Sequence, residues 1–584
     1  MDSPDLNDLL LYRIVCMIKS IVFSVVFISI FSMVGITQPG QRKLQRVEKM
    51  AYLPQPFGII DYRRMAEQFD VTVYDFNAKG RYWPMIWIDS TQHNFKQNVA
   101  GIYTAVADVR QGGQHNKGIF HEALANMGAV LGATLVGIDK SDQQTRNYVA
   151  MLKNYFNSET GWNIMMNNTC PEVALLGGGY GRDWWYDVYP NVLFYAIYDL
   201  YPDEPGFEQL ARTIADKFYR ADSVLKGNYD WSFFDYGKMQ PMKNNICTQP
   251  DAAAGHAWVL YNAYEKFGDK KYLDGAKSAL KALQSQPRNP TYELLMPFGA
   301  YTAARINADH GTSFDTYKML QWSFDGTPEC REGWGVLVGN WNGFDISGIV
   351  GSTVDRGGYG FLMNTYDAAW PLVPMVRYDK SYAAAIGRWM LNAANASKLF
   401  YPQYMPKDHQ TIPELAEVTK GVIAYEGIIK QSTYKGSEHL KAPVAQGDGP
   451  LWAPGNPQES QFSVYGSGHV GIFGSIIDTT DVSGILRLDL LATDFFHDKA
   501  YPSYLYYNPH TTAEMVTVEV TGDKPVDLYN TLTGKMVATK VSGNRKISIP
   551  SRQAAVIVMI PSGGRKTWSG KKFMVDGVVV DYKK

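Results

Sequence analysis

The sequence predicts a mainly α fold, an (α/α)6 toroid followed by a small C-terminal β-sandwich. Three observations carry this reading. A hairpin of two helices recurs from about residue 117, the hydrophobic period changes from helical to alternating near residue 512, and the 584 residues exceed the roughly 250 to 300 at which one core stops growing. The boundaries that follow are 1–37 for a leader, 38–432 for the toroid, 433–511 for an aromatic and Gly-rich connector packing on it, and 512–584 for the sandwich.

The leader comes first. From Met17, "MIKSIVFSVVFISIFSMVGITQPG" carries one lysine, an apolar run from Ile21 to about Ile36 and a polar break, the pattern of a signal peptide, with residues 1–16 an upstream start. The run is short of the roughly 20 residues a spanning helix needs, and no lipid-accepting cysteine follows it. A periplasmic or secreted protein with no stable membrane anchor after cleavage is expected, an uncleaved anchor being the alternative. Cys170, Cys247 and Cys330 then remain, widely spaced and without a CxxC pair, so no metal site is expected and one disulfide is allowed.

The toroid rests on five hairpins. "GIFHEALANMGAVLGATLVG" precedes "DQQTRNYVAMLKNYF", "NVLFYAIYDL" precedes "FEQLARTIADKFYRA", and "DAAAGHAWVLYNAYEKF" precedes "YLDGAKSALKAL". "FGAYTAARINA" precedes "FDTYKMLQWSF", and "FLMNTYDAAWPLVPMV" precedes "YAAAIGRWMLNAANAS". The first helix of each pair is apolar on nearly every face and must be surrounded; the second has one wet side and must surround. A sixth hairpin is expected near 95–110 or 412–430. Turns within pairs are short, but the returns at about 157–190, 221–250, 285–296 and 322–360 are long, and in a compact domain long ordered connections are usually functional. All end at inner-helix N-termini, so all line one mouth. Beyond 512, "AEMVTVEVTG", "PVDLYNTLTGKMVATKV" and "AAVIVMIP" alternate as strands do.

Composition narrows the function. With 56 basic against 57 acidic residues, net charge −1, the chain has no electrostatic footprint for nucleic acid. Its 38 Tyr, 26 Phe and 14 Trp, many in loops beside Gly, Asn and Asp, suit the apolar faces and hydroxyl rims of sugars. No P-loop, HExxH or GxSxG is present, so no cofactor is expected and paired carboxylates are the economical chemistry.

Asp183, in "GGGYGRDWWYDVYP", and Asp251, in "QPDAAAGHAW", are the leading acid and base pair. Asp183 reads equally as a loop acid paired to Arg182, and Asp251 as a helix cap. Asp367, a lone acid inside an apolar helix, is the reserve catalyst. Trp184, Trp185, Trp334 and Trp341 are candidate stacking platforms, and Arg182 or Arg356 a partner for a uronate. His121 and His256 stand near inner-helix starts, where donation to a substrate competes with ordinary core burial. Asp345, Asp355, Glu293 and Glu426 read individually as loop hydrogen-bonders.

The stretch "AAAGHAWVLYNAYEKFGDKKYLDGAKSAL" resembles the inner/outer hairpin of bacterial six-hairpin glycosidases, including the unsaturated glucuronyl hydrolases. The likeness lies in the helix start Gly255, His256, Ala257, Trp258 and the Gly-Asp turn that follows; His256 stands where that group more often has Gln. The resemblance implies the toroid over roughly residues 90–430 and a carbohydrate substrate. An exported glycoside hydrolase of a plant or microbial glycan is the leading expectation, beside a polysaccharide lyase on the same toroid and a non-catalytic glycan-binding protein.

Overall fold

A computed structural model describes residues 40–80, 83–103, 121–170, 183–326, 333–431, 438–447 and 464–582. The leader expected at 1–37 lies outside them, and among them no helix is long and apolar enough to cross a membrane. The elements below belong to the unit Arg42–Lys584.

In chain order the principal helices are α1 Tyr62–Val73, α2 Ala123–Leu135, α3 Trp184–Leu200, α4 Phe207–Leu225, α5 Ala252–Phe267, α6 Lys270–Gln284, α7 Met296–His310, α8 Thr316–Phe324, α9 Leu362–Leu372, α10 Ala383–Ser397 and α11 Val470–Ile476. Helices α2, α3, α5, α7, α9 and α11 each pack on the next, and α11 packs back on α2, closing a ring of six among the described residues. The inner members are buried all round: in α2 every residue from Ala123 to Ala133 is enclosed. The outer members bury one stripe, as α4 does with Phe207, Leu210, Ala211, Ile214, Phe218 and Leu225. Asp61, Asp269 and Asp315 start the outer helices α1, α6 and α8 by accepting first-turn N–H groups at 2.9–3.0 Å.

The sixth hairpin is not where sequence periodicity places it. Residues Val99–Ile102 are a strand, and 412–430 holds one short turn of helix, Leu415–Val418, and the strand Gly427–Ile429. The sixth inner helix is α11, from "YGSGHVGIFG", and its outer partner is α1 from the other end of the chain. Its glycines make contact possible. A Cβ on Gly132 would lie 2.7 Å from the Gly468 carbonyl oxygen, one on Gly474 would lie 2.7 Å from the Tyr62 carbonyl carbon, and one on Gly471 would overlap the Gly132 carbonyl.

Five antiparallel strands form a sheet over the mouth: β1 Trp334–Val336, β2 Val350–Ser352, β3 Tyr359–Phe361, β4 Gly427–Ile429 and β5 Val444–Gln446, in the spatial order β5-β4-β3-β2-β1. The C-terminal sheet already begins in the segment expected to be connector, with β6 Ile477–Thr479, β7 Leu486–Asp489 and β8 Ser503–Tyr507; β10 Val526–Asn530, β11 Lys535–Val541 and β13 Ala554–Pro561 complete it in the order β6-β7-β8-β13-β10-β11. The pair β9 Glu514–Val520 and β12 Gly543–Ile549 covers one face, burying Val516, Val518, Ile547 and Ile549 against Leu528, Ile557 and Tyr506. Strand β13 is apolar throughout because both faces are covered: Ala555, Ile557 and Met559 enter that core, Ala554 and Val556 join the toroid core, and Val558 and Ile560 meet Phe573 and Val575. Gly387 in α10 lets Tyr507 approach, since a Cβ there would lie 2.5 Å from the Tyr507 Cβ.

Candidate active site

The outer helices α1, α6 and α8 use an acid as a cap; the inner helices α2, α3 and α5 do not. Glu122, Asp183 and Asp251 occupy the cap positions of α2, α3 and α5, and none of their side chains caps its own helix. Each turns elsewhere. Glu122 accepts the Asn167 amide at 3.2 Å. Asp183 accepts the Gln249 amide at 2.9 Å, while the Gln249 carbonyl accepts the Trp185 N–H at 3.1 Å. Asp251 accepts the backbone N–H of Tyr292 at 2.8 Å, reaching the return that leads into α7. The next residue, Glu293, accepts the Asn364 amide of α9 at 2.7 Å. These bonds tie the starts of α3, α5, α7 and α9 together around one cup. Helix N-termini border it, which favours carboxylates there.

Tyr186 stands among these acids. Burial first, then the negative charges of Glu122, Glu293 and Asp183, hold its phenol well above its ordinary value. Asp251 is 1% exposed, and burial, with the Glu293 charge adding to it, pushes its carboxyl up to about 8 against the opposing bond from Tyr292. A carboxyl that is still protonated near neutral pH beside other acids is what proton donation to a leaving oxygen requires.

The mouth sheet supplies rings. Trp334 in β1 meets Tyr292, Tyr359 and Phe361 edge-on at centroid distances of 6.1, 6.4 and 5.8 Å. Trp185 lies against Tyr186 at 3.9 Å. The indole N–H groups of Trp185 and Trp334, the Asn364 amide oxygen and both amide atoms of Gln446 are buried with no hydrogen-bond partner among the described residues, the inventory a sugar's hydroxyls can satisfy. Trp341 packs under the 355–358 turn, where a Cβ on Gly358 would lie 2.5 Å from its ring. Arg356 in that turn has φ +52°, stands 3.6 Å from Asp355 and 5.6 Å from the Tyr359 ring centre, and its Nη1 is likewise buried and unbonded.

Several expected site residues lie elsewhere. Arg182 is outside the described residues. The segment from Trp184 on is not a loop but the first turns of α3. Trp184 faces the outer ring, stacked on Tyr229 at 5.5 Å with its N–H on the Tyr236 hydroxyl at 3.3 Å. His256 joins the same cluster, bonded to Tyr236 at 2.8 Å and Tyr229 at 3.4 Å, and burial pulls it down to about 3, leaving a neutral core imidazole. His121 is enclosed between Tyr155 at 2.7 Å and Asp89 at 3.0 Å. Asp367 accepts the Tyr189 hydroxyl at 2.7 Å and pairs with His469 at 2.9 Å, fully buried. These enclosed groups spend the bonds described here on partners inside the protein and join its helices and strands to one another.

Sequence reasoning did not single out Glu122, Tyr186, Asn364 or Gln446, and it read Glu293 only as a loop hydrogen-bonder. One signal was present: an acid stands at or just before the start of α2, α3, α5 and α7, a recurrence visible once the hairpins are aligned on their inner helices.

Fold and site thus define a closed helical ring with a carboxylate-lined cup. No family model matches the sequence, and no curated protein matches it. Among solved structures, similarity is found to a GH127 β-L-arabinofuranosidase from Geobacillus stearothermophilus T6 (10% identity, TM-score 0.30, covering 88% of this chain and 80% of that one). Similarity also extends to a GH127 β-arabinofuranosidase (11%, TM-score 0.34, 91% and 79%) and to a glycoside hydrolase (8%, TM-score 0.35, 74% and 72%). At these values the chemistry rests on the residues of this chain alone.

Proposed function

We propose that this protein is an exported glycoside hydrolase that cleaves a plant or microbial glycan by carboxylate acid/base chemistry. The supporting observation is the set of inner-helix acids that forgo capping and converge on one cup, one of them, Asp251, carrying its proton up to about pH 8. In this reading Asp251 protonates the leaving oxygen. Asp183, fixed by Gln249, presents negative charge to the positive charge that grows at the anomeric carbon. Trp185 and Trp334 bind the sugar's faces and hydroxyls, and Arg356 is the rim group that would take a uronate. Cys247 is disulfide-bonded, which supports an oxidising compartment and hence export.

The experiment is incubation of the full chain with neutral and uronate-containing glycans, following reducing ends and ultraviolet absorbance together. Reducing ends without absorbance, abolished in Asp251→Asn, are expected. Absorbance from a new C4–C5 double bond would replace hydrolysis with elimination, and silence in both channels would leave a binding protein.

A further inference from the structure

We infer that Glu293 is the water-activating base of this site, a role that rests on the hydrolase reading above. Glu293 is the partly exposed carboxylate of a return whose neighbours Tyr292, Leu294 and Leu295 are at most 1% exposed. Its backbone is in the left-handed region, φ +55°, which an L-residue with a long side chain occupies only when its surroundings impose it. The imposing contacts are on either side. Asp251 holds the Tyr292 N–H at 2.8 Å, and the Asn364 amide holds Glu293 Oε2 at 2.7 Å.

Asn364 points to a ligand independently of the acids. Its side chain is 0% exposed, its amide nitrogen is spent on Glu293, and its Oδ1, in the same amide group, has no partner among the described residues. The Trp334 N–H, on a ring edge-on to Tyr292, is buried and unbonded as well. A hydroxyl donor for Asn364, which holds Glu293, and an acceptor for Trp334, whose ring lies against the neighbouring Tyr292, are what a sugar ring supplies.

The two carboxyls are set apart electrostatically: the Glu293 charge is one of the causes that keep Asp251 protonated. The step balances with water alone. Asp251 gives its proton to the leaving oxygen as the glycosidic C–O bond breaks, the oxygen of a water bonds to the anomeric carbon, and Glu293 takes that water's proton, so one glycoside and one water become two hydroxyl products. Separate acid and base residues imply inversion at the anomeric carbon.

The test compares the full-length wild type with Glu293→Gln and Glu293→Gly on the glycan that wild type hydrolyses. It measures kcat, glycan binding by tryptophan fluorescence, melting temperature, and product anomer by NMR. Expected are a fall in kcat of about 100-fold or more, binding within about threefold, an inverted product, and a melting temperature unchanged in Glu293→Gln and equal or higher in Glu293→Gly, because glycine relieves the positive φ. Retained turnover in Glu293→Gln overturns the inference and leaves the hydrolase reading standing. A retained anomer overturns the base role, and a melting temperature lowered in both variants makes Glu293 a structural residue. A wild type silent on every glycan overturns the hydrolase reading and Glu293 with it.

Discussion

Asp251 accepts the backbone N–H of Tyr292 at 2.8 Å while leaving its own helix uncapped. The acid at the start of one inner helix therefore sets the return into the next, and its carboxyl, buried and beside Glu293, is raised to about 8. Catalysis that needs this proton should be lost on the alkaline side. A kcat/KM profile with a limb near pH 8 is expected, and a profile flat to pH 10 would remove Asp251 as the acid.

The same shift has a stability consequence. A carboxyl near about 3.9 in the unfolded chain and about 8 in the fold binds its proton more tightly when folded. Its contribution is fully present below pH ~4 and declines as pH rises to about 8. Asp251→Asn, which cannot titrate, should show a shallower loss of melting temperature between pH 5 and 8 than wild type does.

His256 works with the opposite sign. Its folded value of about 3 lies below the ordinary imidazole value, so its contribution is present above pH ~6.5 and is lost as pH falls toward 3. Removing it by His256→Ala opens a cavity among Trp184, Phe218, Tyr229 and Tyr236 and takes from the Tyr236 hydroxyl its 2.8 Å partner, leaving it the Trp184 N–H alone, at a cost of about 2–4 kcal/mol. Urea denaturation would measure it; a change under about 0.5 kcal/mol would contradict the enclosed cluster.

Asp367→Ala should act on the fold. Tyr189, Asp367, His469 and the Leu124 carbonyl link α3, α9, α11 and α2 through bonds of 2.7, 2.9 and 3.0 Å. Removing the carboxylate leaves buried partners unsatisfied and should cost about 3–5 kcal/mol. Protein that remains folded should retain glycan binding, measured by fluorescence titration; full stability with lost turnover would return Asp367 to the active site.

Ring closure can be broken at one methyl group. Gly471→Ala overlaps the Gly132 carbonyl, backbone against backbone, with no flexible neighbour to yield. Loss of at least about 3 kcal/mol or of soluble yield is expected, whereas Gly522→Ala, with nothing within 4 Å, meets no such obstruction and, at φ +113°, carries backbone strain alone. Equal near-ultraviolet circular dichroism and melting for Gly471→Ala and wild type would refute the contact.

The sequence by itself determined the kind of molecule: four helix pairs, each an all-apolar helix followed by a one-sided one, need a ring in which the first kind is enclosed, and alternating strands after 512 need a second face to cover them; the outer helix expected after α2 is instead only the short turns Tyr148–Met151 and Leu152–Tyr155. Local periodicity records burial, so this much is legible without coordinates. Only the tertiary structure decided how the ring closes. The last inner helix is glycine-rich, and glycine reads as loop by propensity, yet at Gly471 and Gly474 the missing Cβ is what admits a neighbouring backbone. Its outer partner lies at the far end of the chain, a separation no local pattern records. The site divides in the same way. Asp183 and Asp251 stand out in sequence because of their loops and helix starts, but Asp367, His121 and His256 carry the same chemistry to enclosed partners, and Glu293 stands among the acids because Asn364, 71 residues away, holds it there. Side-chain type sets what a residue can do; packing, which joins residues distant in the chain, sets whether it faces a ligand or another helix.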